Sequence, residues 1–231
     1  MAFTLASVVP WGRSFEEYVA MFALSERDFG LRILGCADGP ASFNAVLTRR
    51  GGRVISVDPI YQFSKEQLRA RIDETYDRVL AQVRANQDEF VWKQFDSVEA
   101  LGRARMAAME TFLDDYEAGL REGRYVVGEL PELAFPDNAF DLALCSHFLF
   151  LYGEQLSAEF HLRSIQELCR VAAEVRIFPL LENGARPSRH LDEVVSALSG
   201  SGYTLHIEQV AYEFQKGGNQ MLRVRRALSQ D

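Results

Sequence analysis

The segment from Arg32 to Asp58 constrains the fold more than any other part of this 231-residue chain. Arg32-Ile-Leu-Gly35 is a short apolar run ending in glycine. Ala41 to Arg50 reads as a helix closed by Gly51-Gly52, and Arg53-Val-Ile-Ser-Val-Asp58 as a strand ending in an acid. Strand, glycine turn, helix and strand within fewer than 30 residues make a βαβ unit, and its helical crossover forces the two strands parallel. Parallel sheets are covered on both faces, so the rest of the chain has to supply further strands and helices for two layers.

The remaining pattern supplies them. Between Ser14 and Leu24, Phe15, Tyr18, Val19 and Phe22 share one helical face, with Ser14 as N-cap and Glu17 as its capping-box partner. Ser64 to Gly123 has no proline, and Leu68, Ile72, Tyr76, Val79 and Val83 recur at helical spacing, which predicts two or three helices forming an insertion or cap on the sheet. Strands at Tyr125–Gly128, Phe140–Cys145 and Glu174–Phe178 then alternate with helices at Ser157–Val171 and Arg189–Leu198. Last, Tyr203–Phe214 and Met221–Arg225 flank Lys216-Gly-Gly-Asn219 as a β-hairpin. The expected fold class is α/β, a Rossmann-like three-layer sandwich whose mostly parallel sheet of seven strands ends in an antiparallel hairpin, with residues 1–231 in a single domain.

Composition narrows the function. With 48% hydrophobic and 25% charged residues, the chain has the balance of a soluble globular protein and neither a disordered nor a fibrous one. Its 33 acidic against 25 basic residues give a net charge of -8, a surface that repels phosphate backbones, so no nucleic-acid partner is expected. The apolar runs Leu142–Tyr152 and Val175–Leu181 are broken by polar residues and too short to span a bilayer. Met1 to Val9 lacks the basic start of a signal peptide, so a cytoplasmic location and no membrane partner are expected. Cys36, Cys145 and Cys169 form no CxxC pair, and His147, His161, His190 and His206 show no ligand spacing, so no metal site is expected.

The loop Gly35-Cys36-Ala37-Asp38-Gly39 stands where the first strand meets its helix, the position at which an open α/β sheet binds ligands. Glycines there allow a sharp turn and close approach; a plain tight turn would use the same residues. Asp58 ends the second strand, where a carboxylate accepts from ribose hydroxyls, although Asp before Pro59 is also a common way to start a turn. The third signal is Gly128-Glu129-Leu-Pro-Glu-Leu-Ala-Phe-Pro-Asp-Asn-Ala-Phe-Asp141, an acid just past the third strand followed by LxFPDNxFD leading into the fourth.

On these residues the chain from Ile33 onward resembles the class I S-adenosylmethionine-dependent methyltransferases, in particular the small-molecule type with an LPFPDxxFD pattern before the fourth strand. The resemblance implies S-adenosylmethionine as cofactor and methyl transfer to a small molecule. It wraps Gly35, Cys36, Ala37, Asp38 and Gly39 around the methionine part, and it puts Asp58 on the ribose and Pro59 and Ile60 against the adenine. Glu129 would take the adenine amino group, with a backbone contact from Leu130. Ser146 and His147 would line the cofactor and substrate mouth, His147 as a candidate base. An N-terminal helix laid over the site would bring Arg13 and Tyr18 to the methionine carboxylate. The resemblance also implies an antiparallel seventh strand inserted beside the sixth. The chain departs from the family pattern at Ile33, where an acid is usual, and at Ala37, where glycine is; Asp38 is the candidate replacement for the missing acid.

Phe148, Phe150 and Tyr152 are candidates for a substrate wall or for core. Arg69, Arg71, Arg78 and Arg84 interleave with Glu66, Asp73, Glu74 and Asp77 as a solvated helical surface, and Arg176 inside the fifth strand calls for the crevice or a carboxylate partner. Two other functions stay open: a nicotinamide-dependent oxidoreductase, for which Asp58 would serve equally well although the GxGxxG glycines are missing, and a non-catalytic binding protein of the same fold.

Overall fold

The computed structural model describes residues 10–227; Met1 to Val9, read above for a targeting segment, lies outside the described residues. The βαβ unit forms as β1 (Arg32–Cys36), α2 (Phe43–Arg49) and β2 (Arg53–Val57), preceded by α1 (Phe15–Met21). The capping box at the start of α1 is present. Ser14 Oγ accepts from the Glu17 N–H at 3.2 Å, and Glu17 Oε2 accepts from the Ser14 N–H at 2.9 Å.

Next come α3 (Lys65–Ala85), α4 (Val98–Arg121), β3 (Tyr125–Val126), β4 (Phe140–Ser146), α5 (Ala158–Val171) and β5 (Ala172–Phe178). A two-stranded hairpin of β6 (Leu181–Glu182) and β7 (Arg186–Pro187), absent from the sequence reading, precedes α6 (Leu191–Gly200), β8 (Tyr203–Gln209) and β9 (Gln220–Arg226). The main sheet has seven strands in the order β3-β2-β1-β4-β5-β9-β8. Neighbours from β3 to β5 are parallel, and β9 runs antiparallel to both β5 and β8. The expected inserted antiparallel strand is therefore present.

Alternate residues of the central strands serve two cores. Ile33, Val54, Leu142 and Leu144 pack with α1 and α2 through Phe15, Tyr18, Phe43 and Leu47. Leu34, Ala143, Cys145, Val175 and Ile177 pack with α5 and α6 through Ile165, Leu168, Val194 and Leu198. This double covering is the Rossmann-like three-layer sandwich, and it explains why the inner strands read as continuous apolar runs.

The helical segment at 64–123 divides in two. α4 packs on α2 and on β3, burying Leu101, Ala108, Met109, Phe112, Leu113 and Tyr116, so it is the crossover that carries β2 to β3. Only α3, which packs on α4 and starts at a capping box of Ser64 and Gln67, is additional to the alternating pattern. No helix among the described residues is long and apolar enough to cross a membrane.

Candidate functional site

The sheet order reverses between β1, whose chain continues through α2 to β2 on one side, and β4, which continues through α5 to β5 on the other. Such a switch point leaves a crevice beyond the strand ends. A cleft of about 1010 Å³ opens there, lined by Arg13, Tyr18, the loop Cys36–Gly39, Asp58, Pro59, Ile60, Glu129, Leu130, Ser146 and His147. Every residue assigned to the site from sequence except Gly35 is on this wall.

Gly35 has a different task. A Cβ built on it would stand 1.8 Å from Asp38 Oδ2, so the glycine makes room for a carboxylate folded back over the strand. Asp38 is buried and accepts hydrogen bonds from the Tyr18 hydroxyl at 2.8 Å and the Ser56 hydroxyl at 2.6 Å. Burial, outweighing those two bonds and helped by the charge of Asp58, pushes its pKa up to about 6. The loop reaches this shape through two left-handed residues, Ala37 at φ 56° and Gly39 at φ 54°. Ala37 is strained by about 1–2 kcal/mol, and its N–H is held by Val57 O at 2.9 Å. A Cβ on Gly39 would meet nothing within 4 Å.

Asp58 does two things at once. Its carboxylate accepts from the Gly39 N–H and the Ile60 N–H, both at 2.9 Å, so it ties the glycine loop to β2 and caps the 3-10 turn Pro59–Gln62. Both oxygens keep a second lone pair, and the residue lines the cleft; burial raises its pKa despite the two N–H donors. Tyr61 fixes the same loop from outside, its hydroxyl donating to Gly39 O at 2.9 Å. Glu129 lies exposed on the rim, with Leu130 buried beside it.

Past β4, His147 takes a left-handed backbone, φ 54°, and its N–H is held by Phe178 O at 2.7 Å. Nδ1 and the Ser146 hydroxyl are 2.8 Å apart; Nε2 makes no hydrogen bond among the described residues. Burial, with the charges of Arg13 and Arg105, lowers the His147 pKa well below its ordinary value, so the ring is neutral at pH 7. Phe148 and Tyr152 line the cleft, whereas Phe150 is fully buried in the core.

Sequence reasoning missed two groups behind the Arg13 wall, Arg105 and Tyr212, and the second role of Glu17 as their partner. Arg105 of α4 is fully buried and forms an ion pair with Glu17 of α1; Tyr212, ahead of β9, donates to Glu17 Oε1 at 2.8 Å. Burial alone would raise the Glu17 pKa, but the charge and hydrogen bond of Arg105 outweigh it and bring it to about 2. A signal for Arg105 was present, since it falls on the apolar stripe of Leu101, Ala108, Met109 and Phe112.

Other singled-out residues are structural. Arg176 bonds Glu174, Phe22 O and Asp28, away from the cleft lining. In the LxFPDNxFD stretch, Asp141 pairs with Arg32 and Asp137 with Arg170, each at 2.7 Å, and Arg170 also donates to Leu133 O and Phe135 O. On the helical segment Arg69, Arg71 and Arg84 pair with Glu110, Glu74 and Glu99 at the surface.

The fold and cleft define an α/β protein with an acid-lined crevice at its topological switch point. The chain is 34% identical over 223 residues to the "Uncharacterized protein MJ0045" of Methanocaldococcus jannaschii, across 96% of this chain and 98% of the other; it belongs to that protein's family. No protein-family model matches it. Among solved structures, magnesium protoporphyrin IX methyltransferase of Synechocystis, with bound SAM, superposes with a TM-score of 0.47 at 13% identity, over 92% of this chain and 78% of that one. A SAM-dependent methyltransferase of Aquifex aeolicus gives 0.43 at 16%, over 91% and 92%.

Proposed function

We propose that the protein is an S-adenosylmethionine-dependent methyltransferase acting on a small molecule. The observation that carries this reading is the placement of three acids, Asp38, Asp58 and Glu129, after β1, β2 and β3 around one crevice. Acceptors in that order suit the donors of an adenosine-containing cation: an ammonium at buried Asp38, ribose hydroxyls at Asp58, and the adenine amino group at the rim by Glu129, between Ile60 and Leu130. The open space over Gly39, where even a methyl group would meet nothing within 4 Å, is room for such a ligand against bare backbone.

The sulfonium, when bound, supplies an activated methyl group; the protein supplies alignment. Asp58 holds the loop and the turn in register, so the two walls of the cofactor lobe keep a fixed distance. Tyr18 and Ser56 keep the Asp38 carboxylate aimed by donating to it. His147, neutral and anchored by its own N–H to β5, presents an imidazole at the mouth that can orient the incoming nucleophile by a hydrogen bond; its lowered pKa makes it a weak base.

Titration calorimetry with S-adenosylmethionine, S-adenosylhomocysteine and NADH tests the reading. The two sulfur compounds are expected to bind and NADH not to; silence toward both overturns it, and NADH binding alone promotes an oxidoreductase. Asp58→Ala is expected to weaken S-adenosylhomocysteine at least tenfold and, through loss of the turn cap, to cost about 1 kcal/mol of stability.

A further inference from the structure

Away from Asp38 and Asp58 the cleft becomes apolar, with Val79, Val83, Phe90, Phe178 and Phe214 on its walls. Phe90 and Phe214 stack with ring centroids 4.7 Å apart. The two loops that carry them are tied by Val91 N–H to Phe214 O at 2.7 Å and Lys216 N–H to Glu89 O at 2.9 Å, so this chamber has a bonded wall built from the α3–α4 link and the β8–β9 connection. Arg13, His147 and Tyr212 also line the cleft.

The charges around Arg13 do not close. Two guanidinium groups, Arg13 and Arg105, share one carboxylate, Glu17, and Glu17 is committed to Arg105, to the Tyr212 hydroxyl and to the Ser14 N–H. Among the described residues Arg13 makes one side-chain hydrogen bond, to Trp11 O at 2.9 Å, and its buried Nε has no partner. An unpaired buried donor costs about 1–3 kcal/mol, more when charged. His147 is neutral and offers no anion.

Arg13 shares the cleft wall with His147, Phe178 and Tyr212, and those rings gather at the end of β5, with centroids 5.6 Å from Phe178 to His147 and 5.7 Å from Phe178 to Tyr212. The acids Asp38 and Asp58 are engaged instead by Tyr18, Ser56 and the Gly39 and Ile60 N–H groups. We propose that Arg13 receives the anionic group of the methyl acceptor, and that the acceptor is a compact apolar carboxylate whose ring or chain fills the chamber of Phe90, Phe178 and Phe214. The guanidinium fork matches a carboxylate in two-point contact. This rests on the cofactor reading above and replaces the role expected for Arg13 from sequence, the methionine carboxylate.

The test is titration of 1-naphthoate and its neutral isostere 1-naphthamide into wild type, Arg13→Gln and Arg13→Lys, each with and without S-adenosylhomocysteine. The expected result is naphthoate binding at least tenfold tighter than the amide in wild type, a preference lost in Arg13→Gln and reduced in Arg13→Lys, with S-adenosylhomocysteine affinity changed less than threefold. Equal affinity for the two probes overturns the proposal, as does absence of binding by either, or a tenfold loss of S-adenosylhomocysteine affinity in Arg13→Gln. If S-adenosylhomocysteine fails to bind wild type, the cofactor reading falls, while the naphthoate preference of the free protein still decides for or against Arg13 as the anion site. Circular dichroism of the variants identifies any that fail to fold; Arg13→Lys, which keeps the charge, then carries the comparison.

Discussion

Gly35 and Asp38 occupy one another's space: the carboxylate of Asp38 lies where a side chain on Gly35 would have to be, 1.8 Å from its ideal Cβ. Gly35→Ala would force the carboxylate out of its bonds with Tyr18 and Ser56. Overpacking and broken buried hydrogen bonds together are expected to cost about 3 kcal/mol. In a chain of this length that lowers the thermal midpoint by roughly 6–12 °C, and S-adenosylhomocysteine binding is lost in calorimetry. An unchanged midpoint would mean that Asp38 has another resting place.

Asp38 also ties ligand binding to pH. Its folded pKa of about 6 lies above the 3.8 of an ordinary aspartate, so the folded state favours the protonated form. That contribution to stability is full below about pH 4 and is lost as pH rises through 6, to the extent of about 3 kcal/mol. A cationic ligand placed at Asp38 reverses the preference and expels the proton. S-adenosylhomocysteine affinity should then rise about tenfold from pH 5 to pH 7, with proton release at pH 6 visible as a dependence of binding heat on buffer ionisation enthalpy. Asp38→Asn should bind weakly and with no such pH dependence.

Ala37 carries the strain of the loop. At φ 56° an alanine is disfavoured by about 1 kcal/mol relative to glycine, even after glycine's greater chain entropy is counted. Ala37→Gly is expected to raise the thermal midpoint by roughly 2–4 °C and to leave S-adenosylhomocysteine affinity equal or better. A fall in the midpoint would show that the methyl group makes a contact worth more than the strain.

Local order was legible in the sequence and distant charge pairing was not. The βαβ unit and the capping box of Ser14 and Glu17 follow from spacing within a few residues, because turns and caps are set by near neighbours. The acids Asp38 and Asp58 stood out for the same reason. The terminal antiparallel pair was legible too, but its first strand, expected to run to Phe214, ends at Gln209, and residues 210–219 link it to β9. Glu17 and Arg105, by contrast, meet across 88 residues and Glu17 and Tyr212 across 195; nothing in the local pattern of either chain segment announces the partner. The LxFPDNxFD stretch shows the opposite case, since a specific motif turns out to hold its loop through Arg32 and Arg170. The helical segment misled because periodicity reports an amphipathic face and not what that face packs on, so the crossover helix α4 and the added helix α3 look alike.

The ion pair of Glu17 and Arg105 offers a test of how the wall behind Arg13 is held. Glu17→Gln would leave both Arg13 and Arg105 without a carboxylate, and removal of one partner of a buried pair costs about 3–5 kcal/mol. The midpoint should drop by roughly 10 °C, whereas replacing both residues by methionine should recover much of the loss, because the apolar stripe of α4 then continues through position 105. The folded pKa of Glu17, about 2 against 4.5 for an ordinary glutamate, means that its contribution is present above about pH 4.5 and lost as pH falls toward 2. Acid unfolding of wild type followed by circular dichroism should show that loss, and the double methionine variant should lack it. If Glu17→Gln is as stable as wild type at pH 7, Arg105 is neutralised by some other group, and the charge count that leaves Arg13 in need of an anion has to be redrawn.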